Sequence, residues 1–438
     1  MQVLAFDLGA SSGRGIIGEL NEGRIELTEI HRFENEPVML NGVLYWDFLR
    51  LFHELKKTIK LAQQKGYQIA SIGIDSWGVD YGVIDKSGQL MGNPVHYRDE
   101  RAQRGMERLL KSYSNRELKE KTGMDCVSYN TVNQLMEESH INLDQASGIL
   151  NIPDLLNYFL TGIKASEYSM ATTTQLFDYS RNQWNDEWIK DLGFRRDLFQ
   201  EIIPSGTVLG PVKQELCEEL QVDPFQVVCV TSHDTAAAIQ SVECSRKNFL
   251  FVATGTWIIV GAKQEQVTMN QAVLDYGLSN EGGKYPSVNL LKNHVGLWLI
   301  QESKRQFEKE GQKLSFSELV EAGRKTQINT FIDIMDERFF QPGNMLKKIR
   351  EYAIESKQKE PSTVGEYIRI IEQSLGKQIA ITLKQIEEAT GMEEDEIYLF
   401  GGGIQDELLC ECIEEYSGKK VIKGAKEATA LGNILDQL

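Results

Sequence analysis

A chain of 438 residues is too long to fold around one hydrophobic core, so at least two domains are expected. Its 41% hydrophobic and 25% charged residues are ordinary for a globular protein. A formal net charge of -17 at pH 7 repels phosphate backbones and anionic lipid, which argues against nucleic-acid and membrane partners.

The first residues, MQVLAFDLGASSGR, lack the basic segment of a targeting signal, and no apolar run approaches the roughly 18 residues that cross a bilayer. A cytoplasmic location is therefore expected. The six cysteines, Cys126, Cys217, Cys229, Cys244, Cys410 and Cys412, show no metal spacing and are read as reduced thiols.

In chain order, residues 3–6 form an apolar strand, 7–13 a tight polar turn and 15–18 a returning strand. A strand is predicted over 25–32. A helix is predicted over 48–65, with Leu49, Phe52, Leu55 and Ile59 on one apolar face. Residues 69–75 read as a buried strand ending on Asp75, and 82–90 as a further strand closed by a turn. Strands and helices then alternate, so the fold class is α/β. A weak internal repeat relates 3–18 to 249–262: each is an apolar strand, a turn of small residues and a second apolar strand. Two such turns, one per half, would face each other across a cleft. Periodicity breaks over 242–248, which divides the chain into units 1–243 and 244–438.

The turn DLGASSGR at 7–14 exposes several backbone N–H groups with little side-chain obstruction, a nest suited to phosphate oxygens. Asp7 at the strand end is placed to hold Mg²⁺ through water. No Gly-x-x-x-x-Gly-Lys-Ser/Thr loop is present here, and a plain hairpin turn is the other reading. TGTW at 254–257 is a second such turn. GGGIQ at 401–405 is a third, and its bare backbone suits a planar adenine or a ribose.

Ser232-His233-Asp234-Thr235 follows a strand and precedes an alanine-rich helix over 236–240. An acid there points into the crevice where α/β folds bind ligands, and it can take a proton from a sugar hydroxyl. A simple helix N-cap is the competing reading. Asp75-Ser76-Trp77-Gly78-Val79-Asp80 offers an aromatic face and two acids to a polyol, or packs Trp77 in the core. Asn293 is expected to cap a helix over 295–307 while offering its amide to a ligand. His294 reads as a surface or satisfied histidine, and 97–101 as a solvated charge run.

Together these segments resemble the FGGY carbohydrate kinases, and within them the rhamnulokinases, over nearly the whole chain. DLGASSGR is similar to the family's first phosphate motif, and GIDSWGVDYG at 73–82 to the rhamnulokinase sugar segment. SHDTAAA at 232–238, TGTW at 254–257, NEGG at 280–283, KNHVGLWLIQ at 292–301 and GGGIQ at 401–405 follow in the family's order. NIPDLLNYFLTG at 151–162 and ATTTQL at 171–176 look like its first-lobe segments.

The resemblance implies two ribonuclease-H-like lobes, as in actin and hexokinase, with a central active-site cleft. It implies ATP and Mg²⁺, L-rhamnulose as the sugar and Asp234 as general base. Gly78, His233, Thr235 and Asn293 would line the sugar site, with Trp77 beside them. Ala10, Ser11, Ser12, Gly13 and Arg14, with Thr256, Gln301 and Gly402, would hold ATP. Family members usually carry a further tail after ATALGN at 428–433. This chain ends at Leu438, which is expected to leave the motifs whole and to bear on stability and lobe closure. A kinase of the same family acting on L-fuculose or another ketose, and a non-catalytic actin-like ATP-binding protein, are the alternatives.

Overall fold

Residues 2–34 of the computed structural model, which describes all 438 residues, Met1–Leu438, form three antiparallel strands. They are β1 (Gln2–Leu8), β2 (Ser12–Asn21) and β3 (Arg24–Glu34). β1 is buried from Val3 to Leu8, and a strand covered on both faces reads as an unbroken apolar run. β4 (Ile69–Ser76) lies parallel to β1, and the sheet is completed by β5 (Thr207–Pro211) and β6 (Gln226–Cys229), in the order β5-β6-β4-β1-β2-β3.

The second half repeats the plan. β7 (Phe249–Thr254), β8 (Trp257–Gln264), β9 (Ser279–Gly282), β10 (Val288–Val295), β11 (Glu396–Gly401) and β12 (Lys420–Lys423) form a sheet ordered β9-β10-β8-β7-β11-β12. Each sheet has antiparallel strands, three in the first and four in the second, leading into two parallel additions, on β1 in one case and β7 in the other, and the first sheet ends on the antiparallel edge strand β5. The repeat seen in sequence is thus the opening hairpin of each lobe.

Seven helices matter below: α1 (Phe48–Gln64), α2 (Ile152–Thr161), α3 (Asp234–Gln240), α4 (Trp298–Lys309), α5 (Val364–Thr390), α6 (Glu407–Ser417) and α7 (Ala428–Gln437). α5 is framed by strong signals: a capping box between Thr363 and Glu366 starts it, and Gly391, at φ 70, ends it. In α1 the buried stripe is Phe48, Leu51, Leu55, Ile59 and Ala62. Leu49, expected on that face, is 67% exposed, because the stripe begins one residue earlier.

Other expectations need correction. The strand expected over 82–90 is Tyr81–Asp85, since the side chain of Asp85 accepts from the backbone of Ser87 and Gln89 and turns the chain. The helix expected from 295 begins at Trp298, because Asn293 to Val295 pair with β8 instead. Asn293 therefore lies in a strand and caps nothing. The run 97–101 is not a solvated face: Arg101 is buried on Glu138 at 2.6 Å, and Asp99 caps the following helix through Arg101 N–H.

Two helices cross between the halves. α7, the last element of the chain, lies on the first sheet, where Ala430 and Ile434 pack with Val3, Ala5 and Ile16. α3 lies on the second sheet, where Ala238 and Ile239 meet Phe249, Phe251 and Phe400. Where they cross, Gly432 comes so close that an added Cβ would stand 1.8 Å from the Ala237 carbonyl oxygen. Gly73 of β4 is similarly bare beneath Asn433.

The first lobe carries an insertion with its own core, including Phe177, Trp184, Trp188 and Phe199. It bonds to β9 of the second lobe: Asn280 N–H donates to Gly123 O at 2.9 Å, and Gly282 N–H to Thr172 Oγ1 at 2.7 Å. All six cysteines are free thiols, and no helix is long and apolar enough to cross a membrane.

Candidate active site

The strand ends of the first sheet carry two acids, and the helix that follows β6 begins with a third. Asp7 near the end of β1 is paired in register with Asp75 of β4 and with Arg14 of β2. Arg14 donates twice to Asp7 Oδ2, at 2.9 and 2.7 Å, and also pairs with Glu427, so Asp7 Oδ1 is left free of it. Asp75 is fully buried and accepts from Asn433 Nδ2 of α7 at 2.6 Å. Burial first, then the charges of Asp7 and Asp234, hold the Asp75 carboxyl well above the usual range.

Asp234 is the first residue of α3, and no side-chain bond caps that helix. Its N-cap position is taken by His233, so the capping role open in the sequence does not fall to the Asp234 carboxylate. That carboxylate accepts from Thr235 N–H at 2.6 Å and Thr235 Oγ1 at 3.1 Å, and its side chain is 32% exposed. Burial, reinforced by the charge of Asp7, pushes its carboxyl up to about 7.

The segment bearing Asp234 is held from behind by residues the sequence reading did not single out. Ser232 N–H donates to Glu167 Oε2 at 3.2 Å, and His233 N–H to Ser169 Oγ at 3.1 Å. Ser169 Oγ is itself bonded to Glu167, and Ser76 N–H donates to Ser232 O at 2.8 Å. Glu167 is fully buried. The only sequence signal for it was its place just ahead of ATTTQL.

His233 lies between two acids: Nε2 is 3.5 Å from Asp234 Oδ1, and Nδ1 is 3.5 Å from Glu281 Oε2. A Cβ on Gly78 would stand 3.3 Å from His233 Nε2 and 3.1 Å from Thr173 Cγ2, so Gly78 borders the same space. Asn293 reaches the insertion, its Nδ2 3.3 Å from Tyr129 Oη. Trp77 is placed differently. It is 6% exposed, with its ring on Trp46 at 4.1 Å and its indole N–H on Asp80 Oδ2 at 2.9 Å. Core packing occupies it and no stacking face is left for a ligand. His294 is satisfied, with Nε2 2.9 Å from Thr382 Oγ1.

The proposed nucleotide residues fall into two groups. In the first lobe the turn spans only residues 9–11, closed by Gly9 N–H to Ser12 O at 2.9 Å. Ser12, Gly13 and Arg14 belong to β2. Ala10 is half-buried and Ser11 exposed, and Gly13 is bare because the Phe33 ring lies against it. In the second lobe three segments share one support, the β7–β8 turn. Gly403 N–H donates to Thr254 Oγ1 at 3.0 Å, and Gly401, at φ 90, rests on Thr254 O. Gly296 N–H donates to Thr256 O at 3.1 Å and Leu297 N–H to Gly255 O at 3.0 Å. Gln301 stands one turn further along α4 and Gly402 is open above Thr254.

No three His, Cys, Asp or Glu side chains are grouped as a metal cage. The free Oδ1 of Asp7, in a cluster of mutually repelling acids, fits a cation that arrives on phosphates with its own water.

Comparison with known proteins gives the family. The N-terminal domain model of the FGGY family of carbohydrate kinases matches residues 2–240, and the C-terminal domain model matches 250–438. A rhamnulokinase of Oceanobacillus iheyensis is 37% identical over 438 residues, covering 99% of this chain and 92% of its own. The rhamnulokinase of Bacillus subtilis is 33% identical over 435 residues, covering 99% and 89%. Among solved structures, a ligand-bound xylulose kinase from Lactobacillus acidophilus superposes with a TM-score of 0.82 at 13% identity, covering 100% of this chain and 88% of that one. Plasmodium falciparum glycerol kinase with ADP superposes at 0.78 with 17% identity, covering 99% and 88%. At those identities the structures establish the shared actin- and hexokinase-like fold.

Proposed function

The chain belongs to the FGGY family of carbohydrate kinases, and we propose that it transfers the γ-phosphoryl group of ATP to the 1-hydroxyl of L-rhamnulose. The products are L-rhamnulose 1-phosphate and ADP, a step in L-rhamnose breakdown. Support for the sugar comes from the rhamnulokinase names of the full-length relatives at 33–37% identity. Support for the chemistry comes from one observation above all: Asp234, the first residue of α3, keeps its carboxylate 32% exposed and 3.5 Å from His233 Nε2, with its carboxyl raised to about 7 by burial and Asp7. A base whose pKa lies near the working pH combines a deprotonated form with real affinity for the proton.

In this reading Asp234 takes the proton of O1 as O1 bonds to the γ-phosphorus and the bond from phosphorus to the ADP oxygen breaks. Thr235 and the Glu167–Ser169 support orient Asp234. His233, Gly78 and Asn293 line the sugar. The backbone of residues 9–11 in one lobe, and Thr256, Gln301 and Gly402 in the other, hold the nucleotide, with Arg14 steadying Asp7. Asp7 would hold Mg²⁺ through water, and the ion supplies neutralisation of phosphate charge. The remaining work is positioning and electrostatic stabilisation in a site from which lobe closure excludes water.

The test is ADP release driven by L-rhamnulose, beside L-fuculose and D-xylulose. The highest kcat/KM is expected for L-rhamnulose, because a pocket built on one hydroxyl pattern discriminates sharply. Asp234→Asn should keep ATP binding and lose at least about a hundredfold in kcat, the lower range for a positioned base. Parent-like turnover in that variant would remove Asp234 from the role.

A further inference from the structure

Strand β9 carries a carboxylate, Glu281, that the phosphoryl-transfer scheme leaves unused. Within β9, Asn280 and Gly282 are buried while Ser279 and Glu281 are half-buried, the alternation of a strand with two unlike faces. The buried pair is locked to the insertion of the first lobe. Asn280 N–H donates to Gly123 O at 2.9 Å, Gly282 N–H to Thr172 Oγ1 at 2.7 Å, and Tyr179 Oη to Asn280 O at 2.7 Å. This fixes where Glu281 stands: its Oε2 lies 3.5 Å from His233 Nδ1, and its side chain is only 13% exposed.

Two polar groups meet there without a protein partner. His233 Nδ1 is buried and unbonded, and the contact of Glu281 with His233 is too long for a direct hydrogen bond. Nor is it an ion pair, because burial holds His233 below its ordinary pKa and leaves the imidazole neutral. A nearly buried carboxylate without donors is unfavourable. A ligand hydroxyl bridging Glu281 and His233 satisfies both, donating its proton to the Glu281 carboxylate and accepting from His233 Nδ1–H.

We infer that Glu281 is a sugar-binding residue supplied by the C-terminal lobe, accepting a hydrogen bond from a hydroxyl other than the one phosphorylated. The placement follows from the imidazole: its far nitrogen is 3.5 Å from Asp234, so the ring separates the reacting hydroxyl from the one Glu281 meets. Glu281 then reads the configuration of the sugar at a carbon beyond the first. This deepens the sugar-kinase reading and rests on it.

The experiment compares the parent enzyme with the isosteric Glu281→Gln on L-rhamnulose and on its 3-deoxy, 4-deoxy and 5-deoxy analogues. With L-rhamnulose the variant should lose about tenfold to a hundredfold in kcat/KM, the range for a hydrogen bond to a charged group. With the one analogue lacking the contacted hydroxyl, parent and variant should be equal. The KM for MgATP and the melting temperature should not move. A loss of the same size on every analogue marks a merely structural residue and overturns the inference, as does no loss on L-rhamnulose. If the parent itself ignores L-rhamnulose, the proposed substrate falls, and the same cancellation is sought among deoxy analogues of whichever ketose it does phosphorylate.

Discussion

Asp234 has a folded-state carboxyl raised to about 7 by burial and by Asp7, and two consequences follow. The base form is lost as pH falls through that value, so kcat/KM for the sugar should drop about tenfold per pH unit below it. Asp7→Asn removes one of the repelling charges and should move that limb to lower pH. A pH–rate profile of both proteins checks this, and an unmoved limb refutes the coupling. The second consequence is for stability. A carboxyl raised in the folded state binds its proton more tightly there than in the unfolded chain. Stability therefore falls as pH rises from the ordinary carboxylate range up to about 7. Asp234→Asn should melt above the parent at pH 8 in a calorimetric scan, and an equal or lower midpoint would show that the native site does not penalise the charge. At this scale the acid at a strand end was legible because its chemistry depends on local position. Trp77 and Asn293 were ambiguous, since core packing and strand pairing were decided by residues distant in sequence, Trp46 and β8.

The crossing of α3 and α7 depends on a missing side chain. A Cβ at position 432 would meet the Ala237 carbonyl oxygen at 1.8 Å, and backbone cannot yield as a flexible side chain does. Gly432→Val should therefore separate the helices and destabilise the protein by about 1–3 kcal/mol, the usual range for overpacking. Gly402 is the opposite case, its nearest neighbour being Thr254 O at 4.0 Å. Gly402→Ala should unfold as the parent does in urea, yet raise the KM for ATP while leaving the sugar KM alone. An unchanged ATP KM would take Gly402 off the nucleotide surface. The opening hairpins of both sheets were readable from alternation, because each strand's burial follows its own residues. That α7 serves the first sheet was not, for its periodicity shows that it has a buried face and says nothing about which sheet covers it.

Exchange of these helices ties the two halves into one structural unit. α7 closes part of the first core while the chain before it builds the second. Asp436 near its end is a shared anchor with a fully buried side chain. It accepts from Thr231 N–H at 2.6 Å, Thr231 Oγ1 at 2.8 Å and Gln240 Nε2 at 2.8 Å, and pairs with Lys284 Nζ of the second lobe at 2.8 Å. Large two-lobed proteins often unfold in steps, but here neither sheet keeps its cover if the other half melts. A single calorimetric transition is therefore expected, moved upward by ATP and sugar through binding to the folded state alone. Asp436→Ala should lower that one transition as a whole, by about 1–3 kcal/mol, because it strands the buried donors of Thr231. Two resolved transitions in the parent, or an Asp436→Ala effect confined to one of them, would mean that the lobes are stable apart and that the helix crossing only joins them.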